Sequence, residues 1–280
     1  MQVVANDQIE ISLLLEAIYH KYGFDFRSYA PATVKRRVLK RMKESNMRNI
    51  SEMINRVLHD ETFFEQMLLD ISINVTEMFR DPEVFRAIRH KVIPMLADLP
   101  MIKIWHAGCA TGEEAYSTAI LLEEAGLAEK SRIYATDFND VVLDKAREGI
   151  VPADRLKLYT ANYQRAGGEN SFADYYHADH GLVVFNQKLK KNIIFANHNL
   201  VTDSVFAEMD LIFCRNVLIY FTRALQDRVF TLFHDSLSER GILCIGSKET
   251  ISLSNQAENF ETIASAERIF RKRIVENVST

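Results

Sequence analysis

The sequence predicts an all-α domain followed by an α/β domain built on a parallel sheet. Up to about residue 75 the apolar residues recur with helical spacing, and no strand is credible there. From Lys103 onward, short apolar runs alternate with helical patterns, which is typical of a parallel sheet covered by helices. We therefore divide the chain into residues 1–75 and 76–280, the second beginning with a helical connector over 76–100.

Local signals mark where the first helices begin and end. The first helix is expected to end at Gly23, the second to begin at a Thr33 cap and the third to open at Ser51. In the connector, Asp81-Pro82 places a proline in the first turn of a further helix.

In the α/β domain, strands and helices are predicted in alternation. The strands are KIWHA, RIYATD, NIIFANHN, DLIFCRN and GILCIG, and the helices are EEAYSTAILLEEAG, VVLDKAREG and RALQDRVFTLFHDSL. The stretch from about 160 to 191 interrupts this rhythm with a Gly167-Gly168 turn and an apolar run from Gly181 to Phe185. We interpret it as an insertion that contains a small hairpin.

The composition indicates a globular protein without a metal site or disulfides. A net charge of −4 does not indicate nucleic acid as the partner. Cys109, Cys214 and Cys244 lack CxxC spacing, and no histidine belongs to an HxxxH or HExxH set. A single histidine such as His106 is interpreted as a core or surface residue. With neither a signal peptide nor a long apolar run, a cytoplasmic location is expected.

The strongest local motif is the loop in KIWHAGCATGEEAYSTAI. Gly108 and Gly112 enclose Ala110, and small residues at these positions let the backbone approach a ligand closely. Glu113 and Glu114 follow at the helix N terminus, where a dinucleotide-binding loop would hold a diphosphate. Two carboxylates favour a cationic cofactor without phosphate, S-adenosylmethionine, over NAD. Alternatively, they only complement the helix dipole.

Two other strand ends carry polar residues. Asp137 ends the second strand, where a carboxylate can accept hydrogen bonds from both ribose hydroxyls or cap the next helix. The strand in MDLIFCRNVLIYF is followed by Arg215, Asn216, Tyr220 and Phe221. The N/D-PP-Y/F sequence of many nitrogen methylases is absent there, which favours an oxygen acceptor.

Six blocks spread over about residues 10–272 resemble, in order and spacing, the CheR family of chemoreceptor glutamate methyltransferases. They are NVTEMFR (74–80), AGCATGEEAYS (107–117), ATD (135–137), KAREGI (145–150), HNL (198–200) and CRNVLIYF (214–221). The resemblance implies an all-α domain, then a class I S-adenosylmethionine-dependent methyltransferase domain, Rossmann-like, with a small inserted β-subdomain. It also implies methylation of receptor glutamates to methyl esters, with S-adenosylhomocysteine as the second product.

The resemblance further implies which residues form the site. The cofactor contacts would be Asn74, Thr76, Arg80, Glu114, Asp137, Asn199, Leu200, Arg215 and Asn216. Arg80 and Tyr220 would face the reacting methyl group and the substrate carboxylate, although a surface salt bridge and core packing are the alternatives for these two. A glutamate is already ionised at neutral pH, so the reaction needs positioning and no general base.

A basic segment over residues 31–48 is the predicted docking surface. It carries seven lysines and arginines against one acidic residue, Glu44. Such a run is usually a solvated face or a nucleic-acid contact, but the resemblance favours the acidic methylation helices of a chemoreceptor. The insertion lacks the compact glycine-rich loop of family members that bind a receptor's C-terminal peptide, so direct substrate binding is expected.

Other functions of the same fold remain open at this point. The chain could be a module that senses S-adenosylmethionine without turnover, or a methyltransferase acting on RNA or a small molecule. We expect a monomer that binds no nucleic acid and does not insert into the membrane.

Overall fold

The computed structural model describes residues 6–72 and 76–274. It divides the chain into two compact units, Met1–Asn74 with Ile219–Gln226, and Val75–Leu218 with Asp227–Thr280. No helix in the described ranges is both long and apolar enough to cross a membrane. The three cysteines are free and buried.

The described part of the first unit is helical, as the periodicity predicts. Its helices are α1 Asn6–Tyr22, α2 Pro31–Glu44, α3 Ile50–His59 and α4 Glu61–Ile71. Gly23 ends α1 with a φ of +79°, as predicted. Two predicted starts were wrong. α2 begins at Pro31, two residues before Thr33, and α3 is capped by the Asn49 side chain, so that Ser51 lies inside the helix.

A short segment between β7 (Met209–Cys214) and β8 (Leu237–Ile245) completes the first unit. The backbone N–H of Ala30 donates to the Tyr220 carbonyl at 2.7 Å, and the N–H of Thr222 donates to the Ser28 carbonyl at 2.9 Å. The Phe221 ring meets the Tyr29 ring edge-on, with 5.1 Å between centroids. Residues 219–226 are therefore built into the helical unit, which helical periodicity could not reveal.

The second unit contains a mostly parallel sheet. The strands are β1 Ile102–Ala107, β2 Ser131–Asp137, β3 Ile150–Pro152, β4 Tyr176–Asp179, β5 Leu182–Phe185, β6 Ile193–Asn197, β7 Met209–Cys214, β8 Leu237–Ile245, β9 Phe260–Ala264 and β10 Ile269–Lys272. Seven of them form a sheet in the order β6-β2-β1-β7-β8-β10-β9. The neighbours from β6 to β8 are parallel, and β10 is antiparallel to β8 and β9.

Helices cover this sheet and connect its strands. They are α5 Pro82–Ala87, α6 Ile93–Leu96, α7 Glu113–Glu124, α8 Asp140–Glu148, α9 Leu156–Arg165, α10 Gln187–Lys190 and α11 Arg223–Ser236. Pro82 lies in the first turn of α5, as predicted, and a π-helical turn at Ile88–Val92 separates α5 from α6. Since β1, β2, β7 and β8 run parallel, their carboxyl ends meet at one edge of the sheet, where ligands bind in such folds.

The predicted insertion, about 160–191, contributes β4 and β5 to a small antiparallel sheet with strand order β3-β5-β4, in which β3 comes from the preceding segment. β4 and β5 form the predicted hairpin, with its turn at His180-Gly181, and the Gly167-Gly168 pair follows α9. The buried Glu124 carboxylate fixes this region, because it accepts hydrogen bonds from the hydroxyls of Tyr163 and Tyr175 and pairs with Arg89. The insertion is therefore anchored to the end of α7.

Candidate functional site

The loop between β1 and α7 has a conformation that restricts its residue types. Gly108, Ala110 and Gly112 have φ angles of +78°, +48° and +90°. A Cβ on Gly108 would lie 2.6 Å from a methyl of Val217, and one on Gly112 would lie 3.0 Å from the Cβ of Ala146. The two glycines are therefore required both by conformation and by close packing.

Asp137 lies beside this loop at the end of β2. Its Oδ2 accepts the Ala110 N–H at 3.0 Å, and its Oδ1 accepts the Asn139 N–H at 3.1 Å. Burial raises the pKa of Asp137 to about 6, against the lowering effect of these hydrogen bonds. The cap of α8 is Asn139, whose side chain accepts the Val141 N–H. The Asp137 carboxylate, which also accepts a hydrogen bond from the Phe138 backbone, therefore does not cap α8 and keeps acceptor capacity for a ligand.

The two glutamates at the start of α7 have different surroundings. The Glu113 carboxylate is buried and accepts hydrogen bonds from Thr111, at 2.6 Å, and from Tyr159. Burial raises its pKa, with these hydrogen bonds opposing the shift. Because burial disfavours the charged form of Glu113, Glu114 is the better candidate of the pair for binding a cation.

Glu114 is the centre of a buried chain of charges. Its Oε1 lies 3.0 Å from His106 Nδ1, and its Oε2 accepts from Arg215 at 2.8 Å. Arg215, with a side chain only 1% exposed, also donates to the Asp81 carboxylate at 2.7 Å and to the Arg80 carbonyl at 3.0 Å. Burial raises the pKa of Glu114, but the charge of Arg215 and the contact with His106 outweigh burial and lower it. Glu114 is therefore held as a carboxylate.

The residues on both sides of Arg80 in the connector fix its backbone. Phe79 and Asp81 have φ angles of +50° and +54°, which are uncommon for residues with side chains. The Phe79 ring is fully buried and meets the Phe85 ring edge-on at 5.2 Å, while its N–H donates to Ser117 Oγ at 2.8 Å. Strained backbone of this kind persists only where the surrounding structure fixes it. The backbone at Arg80 is thus fixed by its neighbours in the connector.

A buried glutamate joins the loops that follow β7 and β8. Glu249 accepts the Val217 N–H at 2.9 Å and the Gly246 N–H at 2.5 Å. A Cβ on Gly246 would lie 2.8 Å from the backbone nitrogen of Asn216, which has a φ of +62°. Glu249 therefore fixes the loop that carries Arg215 and Asn216.

The remaining predicted site residues have varied surroundings. Leu200 is buried, and the Asn199 side chain accepts the Val201 N–H at 3.0 Å. Thr76 is half-buried, and Asn74 lies outside the described residues. Tyr220 is half-buried and belongs to the first unit, so its place in the reaction stays a prediction.

The structure thus brings together part of the predicted set and adds members to it. Direct contacts join Arg80, Glu114 and Arg215, and the loop that includes Ala110 joins Asp137 to them. Sequence reasoning gave no role to Asp81, His106 or Glu249. A histidine within an otherwise apolar strand was a usable signal for His106. No signal was available for the carboxylates, because their partners are distant in sequence. Within the described ranges, no group of three or more potential metal ligands occurs.

Two family models match this chain. The all-alpha domain of CheR methyltransferases matches residues 9–72, and the S-adenosylmethionine-binding domain of CheR methyltransferases matches residues 74–269. The chain belongs to the CheR methyltransferase family. This membership, together with the mostly parallel sheet, confirms the predicted class I methyltransferase fold with an all-α N-terminal domain.

Similar proteins extend over almost the whole chain. A Pseudomonas putida protein named "Putative methyltransferase Cher3" is 50% identical over 95% of this chain and 98% of its own length. A chemotaxis protein methyltransferase of Borreliella burgdorferi is 33% identical, covering 86% of this chain and 88% of its own. The chemotaxis protein methyltransferase of Escherichia coli is 28% identical, covering 85% and 82%. The CheR likeness therefore includes both units.

Proposed function

We propose that this protein transfers a methyl group from S-adenosylmethionine to glutamate side chains of a chemoreceptor or a related signalling protein. The observation that carries the proposal is the ionised, partly exposed Glu114 at the start of α7, next to the Ala110–Asp137 contact, in a CheR chain. Relatives named chemotaxis protein methyltransferases support the receptor as substrate.

The polar groups of the site suit this cofactor. A carboxylate such as Glu114 complements the cationic amino group, and the spare lone pairs of Asp137 can accept both ribose hydroxyls. Neither group suits a diphosphate, which needs donors. The other residues proposed to contact the cofactor are Asn74, Thr76, Arg80, Asn199, Leu200, Arg215 and Asn216.

The proposed chemistry places few demands on the protein. Bound S-adenosylmethionine supplies a methyl group on a positively charged sulfur. A glutamate oxygen forms the new C–O bond while the S–C bond breaks, and its electron pair stays on the sulfur of S-adenosylhomocysteine. No proton moves, so we assign neither a general base nor a metal. Arg80 orients the substrate carboxylate, and Tyr220 is proposed to donate a hydrogen bond to it.

The raised pKa of Asp137 predicts a pH-dependent affinity. With a pKa of about 6 the carboxylate is mostly ionised at neutral pH and becomes protonated as the pH falls, losing acceptor capacity for the ribose. Between neutral pH and about pH 5, we expect the Kd for S-adenosylhomocysteine to rise about tenfold, since only the ionised fraction binds well. Calorimetric titration at several pH values measures this.

Asp137→Asn is the control for this pH effect. It keeps the side-chain shape but cannot titrate, so its weaker binding should be nearly constant over the same range. Near pH 6, wild-type binding should release protons, which buffers of different ionisation enthalpy detect. An equally steep pH dependence in Asp137→Asn would assign the titration to another group.

Several cations of the basic segment, residues 31–48, form ion pairs in the structure, so fewer of them are available for docking than the sequence suggested. Lys35 pairs with Asp7 at 3.0 Å, and Arg41 pairs with Asp70. Lys40 lies near both Glu44 and Asp70, and Arg48 near Glu52, at 3.5–3.8 Å. Arg36 and Lys43 are exposed and make no ion pair among the described residues. We therefore propose these two as the main cations for acidic receptor helices.

Reversing both charges tests the docking proposal. For Arg36→Glu/Lys43→Glu, we expect the KM for a receptor fragment to rise about tenfold at low salt, with a smaller rise at high salt because screening shortens the range of attraction. The Kd for S-adenosylhomocysteine should not change. Lys91→Glu, at an exposed lysine of the second unit, is the matched control. An unchanged KM in the double variant would remove α2 from substrate recognition.

Labelled methyl transfer separates the proposal from its alternatives. The purified chain is incubated with labelled S-adenosylmethionine and, in parallel, the cytoplasmic fragment of a receptor from the same organism or total RNA. We expect label in the receptor fragment alone. Label in RNA would favour an RNA methyltransferase, and cofactor binding without transfer to any substrate would favour a sensing module. The proposed partner places the activity in the cytoplasm, and a monomeric state stays a prediction.

A further inference from the structure

His106 is a buried polar residue to which the proposed reaction assigns no role. It lies near the end of β1 with its side chain 1% exposed. Its Nδ1 is 3.0 Å from the Oε1 of Glu114. A carboxylate only accepts hydrogen bonds, so this contact is attractive when the proton is on Nδ1.

The histidine ring has little freedom to leave this position. It stacks on the Phe213 ring with 4.5 Å between centroids and 4° between planes. Phe213 in turn stacks on Phe85 of the connector, at 6.4 Å. Ring packing therefore fixes the direction in which Nδ1 donates to Glu114.

The other ring nitrogen of His106, Nε2, makes burial of this side chain energetically unfavourable. Nε2 is buried and has no hydrogen-bond partner in the part of the chain that the structure describes. An unpaired buried acceptor is unfavourable because it has lost its hydrogen bonds to water, and an apolar residue at this place would avoid that loss. A polar side chain retained at such a cost is expected to serve the site it touches.

We propose that His106 is a positioning residue that fixes the Glu114 carboxylate for the amino group of the cofactor. This rests on the proposed function, in which Glu114 binds that amino group. Arg215 holds Oε2 and His106 holds Oε1, so the carboxylate plane is set before the ligand binds. Each oxygen keeps a lone pair for an ammonium donor. Without His106, Oε1 is no longer held, and Glu114 can turn away.

Two ligands distinguish positioning from general support of the fold. S-adenosylhomocysteine carries the amino group, and 5′-methylthioadenosine shares the adenosine and sulfur but lacks the amino acid part. For His106→Leu we expect about tenfold weaker binding of S-adenosylhomocysteine, as for loss of one oriented charge-assisted contact, and methylthioadenosine affinity within about twofold of wild type. Calorimetric titration of the full chain gives both constants.

His106→Asn is the conservative variant. Its amide nitrogen can replace Nδ1 as the donor, so binding of S-adenosylhomocysteine should recover to within about threefold of wild type. If His106→Leu fails to fold, His106→Gln replaces it. The amide of this longer side chain reaches toward the Nε2 position and not toward Glu114, so the variant should selectively lose affinity for S-adenosylhomocysteine. Equal weakening for both ligands, or no weakening in any variant, would overturn the proposal.

The same titrations separate this inference from the proposed function. Wild-type binding of S-adenosylhomocysteine without methyl transfer to receptors would contradict the substrate assignment and leave the role of His106 measurable. Normal binding by His106→Leu, with receptor methylation intact in the wild type, would reject the positioning role of His106 and leave the proposed function unaffected.

Discussion

Replacing Arg80 by alanine should lower kcat at least about a hundredfold while the protein stays folded, because orientation of the reacting carboxylate is the main contribution we assign to the enzyme. The backbone around Arg80 is fixed by the buried Phe79 ring and by Asp81, and the Arg80 carbonyl still accepts from Arg215 in the variant. We therefore expect a folded variant with a Kd for S-adenosylhomocysteine within about threefold of wild type.

Arg86→Ala is the matched control for Arg80. Arg86 lies on the next helix, α5, and pairs with Glu83 at an exposed position. Exposed pairs contribute little, so its kcat should stay within about twofold of wild type. Steady-state methylation of a receptor fragment, with single-turnover rates, measures both variants. Turnover by Arg80→Ala equal to that of Arg86→Ala would refute the assigned role.

Replacing Arg215 by leucine should cause the largest loss of stability and of cofactor binding together. The buried guanidinium lies between the carboxylates of Glu114 and Asp81, whose side chains are 15% and 42% exposed, so its removal mainly affects Glu114, which loses its cation in a largely buried position. Breaking a buried ion pair in this way costs about 3–5 kcal/mol. Because burial then acts on Glu114 with less opposition, its pKa should rise, and the protonated form binds the cofactor amino group poorly.

Urea unfolding and calorimetry test the Arg215→Leu prediction. Arg271→Leu is the control, because Arg271 forms an ion pair with Glu261 in the same sheet, with about one-third of its side chain exposed. That variant should lose less than about 1 kcal/mol and bind S-adenosylhomocysteine normally. If Arg215→Leu is as stable as Arg271→Leu and binds S-adenosylhomocysteine with wild-type affinity, the charged residues around Glu114 are needed neither for stability nor for cofactor binding.

The sequence predicted the central strands because most of their residues are apolar and buried. This holds for β1 and β7, whereas β2 also carries Ser131, Arg132, Thr136 and Asp137. β9 and β10, at the antiparallel end of the sheet, were missed because Phe260–Ala264 and Ile269–Lys272 are short and include polar residues. The helix starts at Pro31 and Asn49 were also missed, although proline in the first turn and an asparagine cap are recognisable signals.

The sequence named candidate residues for the site but could not predict the contacts between them. Glu113 and Glu114 are adjacent in sequence and received one interpretation, yet successive helical positions point about 100° apart and meet different partners. Arg215 reaches Glu114 across 101 positions and Asp81 across 134. Neither separation leaves a local pattern, so the charge chain could be found only in the folded structure.

The basic segment shows, at the protein surface, the same limit of prediction from sequence. Its seven cations against Glu44 suggested one strong positive surface. Asp7 and Asp70, on α1 and α4, pair with several of these cations in the fold. Counting charges along the chain cannot include partners from neighbouring helices, so the proposed surface is now Arg36 and Lys43.

The most direct measurement is the chemical nature of the bond formed on the receptor. The receptor fragment labelled by this enzyme is treated with mild alkali, and the modified peptides are mapped. A glutamate methyl ester is hydrolysed and releases its label as volatile methanol, whereas methyl groups on nitrogen stay attached. We predict alkali-labile label on glutamate residues, absent from the Arg80→Ala reaction. Alkali-stable label, or label on residues other than glutamate, would contradict carboxyl methylation.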